Sequence, residues 1–317
     1  MTHERDPLLQ PHLDQIAAAA GQVQGSQAQR FRASSMAVAA YAAKHTLPAL
    51  KATAIDAGNG AVAAPGRHIP TRTYRAKGKG SGLTLVYFHG GGWVAGGLDS
   101  HDDLLRRVAH QLGCTLVAVD YRLSPEHTMP AALDDAAEVL RTVRSSITGK
   151  PGARFALGGD SSGAHIAAAA AYALAPDAAG LLLFYPVVRP HFTTQSYLER
   201  GIGNLTPATM KWFWEQYLGQ TIPGDALATD DPRIDLLMQK WTAPPPSAVV
   251  LTAWHDPLCD EGSAYARFLA EAGAQVRLTC ANGMPHGFAR FCGFNATANE
   301  HVTAAVDDFR ELVAAVE

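Results

Sequence analysis

The run Gly159-Asp160-Ser161-Ser162-Gly163 places a serine between two glycines. Phe155–Leu157 before it reads as a strand and Ala164–Leu174 after it as a helix. In that setting G-x-S-x-G is a nucleophile elbow. A strand-to-helix turn so sharp excludes bulky neighbours, which accounts for the glycines. It holds Ser161 at its apex, at a helix N-terminus whose dipole favours developing negative charge. A serine hydroxyl is a weak nucleophile without a base, and the base needs an orienting carboxylate. Downstream, the strand Ala248–Thr252 is followed by Asp256-Pro257-Leu258, and the strand Val276–Thr279 by Met284-Pro285-His286-Gly287-Phe288. Serine, acid, histidine is the chain order of a triad built on such an elbow. Both later residues fall at C-terminal strand ends, where the sites of open parallel sheets gather. The reading is therefore Ser161 as nucleophile, His286 as base and Asp256 as the acid that orients it. Asp260 and Glu261 compete with Asp256, but they stand at the start of a helix they could cap. His255 and His301 compete with His286 and are read as solvated or structural.

Attack on a carbonyl makes an oxyanion, which needs donors already in place. His89-Gly90-Gly91-Gly92-Trp93 directly follows the strand Leu83–Phe88. Consecutive glycines let backbone N–H groups point into a site without side-chain clash. His89 is expected to organise this loop rather than act as a base.

The elements that must position these groups alternate. Short apolar runs at Leu83–Phe88, Thr115–Val119, Phe155–Leu157, Leu181–Tyr185, Ala248–Thr252 and Val276–Thr279 read as strands. Asp102–Leu112, Ala131–Val143, Ala164–Leu174, Ser263–Ala272 and Thr297–Val316 read as helices between and after them. Such alternation implies right-handed βαβ units and a mostly parallel sheet. Upstream, about the first fifty residues read as helical, broken near Gly21–Gly25 and ended around Pro48. Ala54–Gly66 reads as a Gly/Ala-rich connection and Arg67–Arg75 as a strand. The stretch between Tyr185 and Ala248 is far longer than a crossover needs. Within it Thr206-Pro207 supplies an N-cap with proline at the first helical position, and Gly219 a stop. Met210, Phe213, Trp214, Tyr217 and Leu218 fall on one face of the helix between them. An aromatic helix inserted above a parallel sheet reads as a cap, and its aromatic residues either line a pocket or simply pack.

Composition narrows the classes. The chain has 317 residues, 47% of them hydrophobic and 17% charged, with a net charge of −3. It is long enough for a sizeable core and neither disordered nor polyelectrolyte. The charge balance removes the electrostatic case for nonspecific nucleic-acid binding. No run of about 18 apolar residues offers a membrane span. Met1–Gln10 does not resemble a secretory signal. The four cysteines make no Cys-x-x-Cys pair, so a zinc or thioredoxin-like site is not expected. Reduced thiols in a cytoplasmic protein are the expectation, Cys280 and Cys292 included, although those two could meet in space. No repeat is visible, and no histidine–acid spacing suggests a metal site.

Taken together, His89–Trp93, Asp120-Tyr121-Arg122-Leu123-Ser124-Pro125-Glu126-His127, Gly159–Gly163, Asp256-Pro257-Leu258 and His286-Gly287-Phe288 resemble the hormone-sensitive-lipase-like esterases. These are the bacterial family IV carboxylesterases of the α/β-hydrolase superfamily. The resemblance runs from about Arg67 to the C-terminus. It implies an α/β-hydrolase fold: an eight-stranded, mostly parallel sheet with helices on both faces. A helical cap would be formed by about residues 1–50 and 190–245 of a single domain. By position in the matching motifs, Ser161, Asp256 and His286 would be catalytic, and the N–H groups of Gly91, Gly92 and Ser162 would form the oxyanion hole. Trp93, Phe213, Trp214, Tyr217 and Phe288 would contact substrate. Ser162 stands where the family commonly has alanine, and Ala164 where a second glycine is frequent. Neither change removes a backbone donor. The Tyr121–His127 segment is read as structural, fixing a loop near the site. The expected activity is hydrolysis of short- to medium-chain acyl esters through an acyl-enzyme, with no cofactor. Amide, deacetylation or thioester chemistry on the same triad remains open, because the motifs do not encode the leaving group. Noncatalytic binding relatives of this fold lose part of the triad, and this chain has all of it. A small-molecule ester is the expected partner, and the family's dimers through the last helix and strand extend that to a homodimer.

Overall fold

The computed structural model describes residues 4–21, 24–47, 55–77, 80–200 and 205–315. Eight strands form one sheet: β1 (Ile55–Ala64), β2 (Arg67–Ala76), β3 (Leu83–Phe88), β4 (Thr115–Val119), β5 (Arg154–Asp160), β6 (Leu181–Phe184), β7 (Ala248–His255) and β8 (Val276–Pro285). Their spatial order is β1-β2-β4-β3-β5-β6-β7-β8. β2 pairs antiparallel with β1 and β4, and every pairing from β4 to β8 is parallel.

Both faces of the central strands are buried, which is why they read as unbroken apolar runs. Alternate residues enter two separate cores. Val86, Phe88, Leu157, Leu181, Leu183 and Val250 join one of them. Leu85, Tyr87, Ala156, Leu182, Phe184 and Val249 join the other. The first core is closed by helices α4 (Ala131–Ile147), α5 (Ser162–Leu174) and α8 (Cys259–Glu271). The second is closed by α3 (Asp102–Leu112) and α9 (Ala296–Ala314), with side chains from α1 (Gln10–Ala20) and α2 (Gln27–His45).

Helix α5 is the innermost. Its sequence is nearly all small residues, and ten in succession from Ser162 to Ala171 are buried. Alanine gives it helical propensity and lets its axis lie close to the sheet. The insertion after β6 carries α6 (Gln195–Glu199) and α7 (Pro207–Leu218). The Thr206 hydroxyl caps α7 by accepting the Thr209 N–H at 3.2 Å, and Gly219 ends it in the left-handed conformation.

One expectation fails. Residues 55–64 form a strand, β1, rather than a loose connection. It pairs with β2 along its whole length, from Ile55 opposite Ala76 to Ala64 opposite Arg67. Glycines and alanines hide it because an edge strand is held through its backbone, and most of its side chains are exposed. The turn closes at Pro65-Gly66, where Gly66 has φ +71°. The end expected near Pro48 lies outside the described residues. The predicted strand at Phe155–Leu157 is longer than read and runs on to Asp160.

Helix α5 approaches the end of β3 very closely. A Cβ on Gly163 would stand 2.0 Å from the Phe88 carbonyl oxygen and 2.5 Å from that of His89. Gly163→Ala is therefore expected to lower unfolding free energy by about 1–3 kcal/mol. Urea unfolding of the two proteins checks this, and an unchanged midpoint would contradict the packing described.

Candidate active site

Ser161 occupies the turn between β5 and α5 with φ 54° and ψ −121°. A side-chain-bearing residue pays for positive φ, so the turn must be held by its surroundings. Its N–H donates to the Phe184 carbonyl at 2.9 Å, and its carbonyl accepts from His165 N–H at 3.2 Å and Val187 N–H at 3.3 Å. A Cβ on Gly159 would lie 2.4 Å from the Gly163 backbone, so the first glycine of the motif is as necessary as the second.

His286 follows β8 and Asp256 follows β7. The Ser161 Oγ is 2.9 Å from His286 Nε2, and His286 Nδ1 is 2.7 Å from Asp256 Oδ2. Asp256 is wholly buried, and its other oxygen accepts the Leu258 N–H at 2.9 Å. An ionised carboxylate can only accept, so Nδ1 carries the proton towards Asp256 and Nε2 presents its lone pair to the serine. The Tyr185 ring stands edge-on to the imidazole at 5.0 Å.

The loop after β3 lies over the same serine. Among the described residues no acceptor in the chain takes the N–H of Gly91, Gly92 or Ser162. Gly91 and Gly92 have φ of +129° and +62°. A Cβ on Gly92 would lie 2.2 Å from the Phe213 ring, so only glycine lets α7 close down on this loop. The Tyr121 hydroxyl holds the loop from behind by donating to the His89 carbonyl at 2.7 Å. Ser124 N–H donates to the Trp93 carbonyl, and Arg32 reaches the carbonyls of Val94 and Ser124 and the carboxylate of Glu126. The Tyr121–His127 segment is thus a brace for the glycine loop. His89 stacks on Tyr121 and directs Nδ1 to the Gly90 carbonyl at 2.9 Å. Burial, and then His101, push its pKa down to about 3, so it stays neutral.

The rivals of the triad take other partners. Asp260 accepts the Ser196 N–H at 2.8 Å, and Glu261 accepts the Val188 N–H at 2.8 Å. Burial raises the Glu261 carboxyl well above the usual range. His301 sits on α9 with its ring edge-on to Phe288.

A cavity of about 430 Å³ opens onto Ser161, His286 and the three glycines. Its apolar wall comes from Leu13, Ile16 and Phe31 of the N-terminal helices, with Met210 and Phe213 of α7. Of the five side chains expected to contact substrate, Phe213 is on this wall. Trp93, Trp214, Tyr217 and Phe288 are not, and all four are buried. Trp93 stacks on Tyr217 with centroids 4.4 Å apart, leans on Trp214 at 4.5 Å and meets His165 edge-on. Trp93 has φ +59°, which sends its ring into the core behind the loop. Phe288 packs on Tyr185. Residues 1–50 are expected in the cap, but none of them is named as a substrate contact, although Leu13, Ile16 and Ala17 share one helical face, as do Phe31, Ser34, Ser35 and Val38.

A further group was also missed. Asp160, beside the serine, is buried and accepts the Gly90 N–H at 3.0 Å and the Tyr87 hydroxyl at 3.1 Å. His101 Nε2 lies 3.3 Å from the same carboxylate. Burial alone would raise this carboxyl, but His101, the Arg290 guanidinium and the Gly90 N–H outweigh it and bring the pKa down to about 2. Arg290 is partly buried and donates to the carbonyls of Ser35 and Ser100. Among the described residues no group of His, Cys, Asp and Glu could hold a metal ion, and no helix is long and apolar enough to cross a membrane.

Comparison with known proteins places this geometry. A family model for the alpha/beta hydrolase fold matches residues 85–290. The ethyl acetate hydrolase of Pseudomonas putida is 36% identical over 257 residues, covering 78% of this chain and 79% of its own. The carboxylic ester hydrolase LipN of Mycobacterium tuberculosis is 34% identical over 268 residues, covering 79% and 70%. The hyperthermophilic esterase of the archaeon Pyrobaculum calidifontis superposes with a TM-score of 0.81 at 30% identity, over 98% of this chain and 99% of that one.

The Asp160 carboxyl sets a pH prediction. Its folded pKa lies below the 3.8 of a free aspartate. The unfolded chain therefore binds the extra proton, and the stabilisation is present above about pH 4 and lost as pH falls towards about 2. It amounts to about 2 kcal/mol. Denaturant unfolding across that window should show Asp160→Asn losing that part of the slope. A slope equal to that of the parent protein would remove the assignment.

Proposed function

The chain belongs to the alpha/beta hydrolase family and is a carboxylic ester hydrolase, and on that premise we propose that it cleaves short- to medium-chain acyl esters through an acyl-enzyme on Ser161. The observation that carries this reading is the hydrogen-bonded chain from Ser161 Oγ through His286 to Asp256.

In the proposed cycle His286 Nε2 takes the Ser161 proton as Oγ attacks the ester carbonyl. Asp256 holds the imidazole in the tautomer that can accept, and stabilises the imidazolium that forms. The N–H groups of Gly91, Gly92 and Ser162 receive the oxyanion, and the N-terminal end of α5 adds its dipole. His286 then gives its proton to the leaving alcohol. Water enters and gives a proton to the same nitrogen as its oxygen attacks the acyl carbon, and the acid leaves as His286 returns that proton to Ser161 Oγ. The residues in hand suffice for every proton transfer in this sequence.

The substrate range follows from the cavity. At about 430 Å³ it is near the small end of ligand pockets, which span about 300–1,000 Å³. It must hold the acyl and alcohol groups together. Helices α1 and α2 on one side and the segment of about 190–245 on the other act as its cap. The Phe213 ring over Gly92 limits depth. A relative named for ethyl acetate hydrolysis supports a small substrate. The reading extends to a cytoplasmic protein with its cysteines as free thiols, and to a homodimer paired across β8, one of the two edge strands, and α9.

Hydrolysis of p-nitrophenyl esters from acetyl to palmitoyl tests the whole proposal. The expected result is a maximum at short to medium chains and a loss of several orders of magnitude in Ser161→Ala. Phe213→Ala should move the maximum to longer chains with the triad intact. Equal rates for palmitoyl and acetyl esters would refute the substrate range. Full activity in Ser161→Ala would refute the nucleophile. Hydrolysis of anilides in preference to esters of the same acid would replace the leaving-group assignment.

A further inference from the structure

The four cysteines are free, and two of them touch. The Sγ atoms of Cys259 and Cys280 are 3.9 Å apart. The pair that meets is therefore not Cys280 with Cys292. Cys259 is the first residue of α8, immediately after the Asp256-Pro257-Leu258 turn, and its N–H donates to the Asp256 carbonyl at 3.2 Å. Cys280 lies in β8, whose far end delivers His286. In the sheet register Cys280 stands opposite Thr252 of β7, and the Thr252 hydroxyl is 3.9 Å from Cys259 Sγ. The two sulfurs thus span the seam between the element that holds the acid and the element that leads to the base.

The environment differentiates them. Cys259 is buried and Cys280 is partly exposed. The shared hydrogen bond keeps the proton on Cys259, and burial reinforces this. Cys280 receives that bond, which lowers its pKa below that of a free thiol against the opposing effect of burial; the Thr252 hydroxyl and the Arg200 guanidinium help, and Asp256 opposes. Arg200 is fixed nearby by stacking 3.7 Å over the Trp254 ring. A reachable sulfur with thiolate character and a second thiol in contact behind it are what thiol–disulfide exchange requires.

We propose that Cys259 and Cys280 are a redox-active dithiol, closed to a disulfide by a small-molecule disulfide such as oxidised glutathione, that braces the Asp256 turn against the strand leading to His286. In the first step the Cys280 thiolate attacks one glutathione sulfur, forming a mixed disulfide and releasing glutathione thiolate. In the second, the Cys259 sulfur loses its proton to that thiolate and attacks Cys280 Sγ. The Cys259–Cys280 bond forms as the second glutathione leaves. Two protein thiols are oxidised by two electrons, and one glutathione disulfide becomes two thiols. The sulfurs must close from 3.9 Å to a bond of about 2.0 Å. Cross-linking itself does not depend on the esterase reading; its bearing on the triad does.

The test uses the full chain equilibrated with oxidised glutathione, then intact mass, non-reducing peptide mapping and thermal unfolding by circular dichroism. The expected result is a mass lower by two hydrogens and a linked Cys259–Cys280 peptide. The unfolding midpoint should rise by about 5 °C and return to the starting value with dithiothreitol. Cys280→Ser and Cys259→Ser should show neither change while retaining ester hydrolysis before oxidation. A glutathione adduct that persists on Cys280, or no change in mass, would overturn the bridge. A bridge with an unchanged or lower midpoint would overturn the bracing. A protein that forms the bridge but hydrolyses no ester would leave this proposal standing and remove the catalytic one.

Discussion

The strand-to-helix turn at Ser161 leaves no room for side chains on either flank, and most of the molecule can be understood as holding that turn closed. Gly159 and Gly163 meet backbone to backbone, and Gly163 also presses on the carbonyls of Phe88 and His89. The serine itself sits at positive φ, a conformation that costs on the order of 1–3 kcal/mol wherever a side chain is present. Nothing local repays this. The compensation comes from α5, whose buried run of small residues seats it against β3, β5 and β6, and from β6, whose Phe184 carbonyl receives the serine N–H. A bulky residue at any of these places would open the turn before it disturbed any catalytic side chain.

The same turn is wired to the glycine loop by one carboxylate. Asp160 is the residue next to the serine, yet its side chain points away from the triad and accepts from Gly90. A buried negative charge is costly unless paired, and here His101, Arg290, Tyr87 and a backbone N–H share it. The arrangement ties the proposed nucleophile to the loop of the proposed oxyanion donors, and Asp160 and Arg290 both border the cavity. It also explains the second glycine constraint, since a Cβ on Gly90 would lie 2.4 Å from that carboxylate. Electrostatic preorganisation of this site would thus begin with a charge held beside the proposed nucleophile.

How much of this could be read from residue order depends on the kind of force involved. The parallel strands were legible because burial on two faces forces an apolar run, and the elbow was legible because its steric demand is met by glycine alone. Strand β1 was not, since its pairing rests on backbone hydrogen bonds that Ala61 and Gly60 satisfy as well as any residue. Ser161, Asp256 and His286 could be found by order and strand position. Asp160 stands in the motif, but its task is not legible there, because a charge's partners come from β3, the residue before α3 and the segment after His286, all remote in sequence. The cavity wall was half legible. The face of α7 was recognised, yet a helix between a cavity and a core has apolar residues on both sides, and spacing cannot say which side meets substrate.

That ambiguity on α7 has a physical resolution. Met210 and Phe213 face the cavity, whereas Trp214 and Tyr217, at positions 4 and 7 after Met210, reach the Trp93 and His165 rings instead. Trp93 is the residue immediately after the glycine loop, so the aromatic stack joins α7 to the loop from behind while Phe213 covers it from the front. His165, on the buried face of α5, completes the stack and is kept neutral by burial, its pKa lowered to about 4. The inserted helix is therefore not a lid resting on a finished site. Its inner rings belong to the core that positions the glycine loop, and its outer ring bounds the cavity above it. A change in cavity shape made at Phe213 can leave the loop in place, whereas one made at Trp214 or Tyr217 acts first on the packing behind the glycine loop that carries the proposed oxyanion donors.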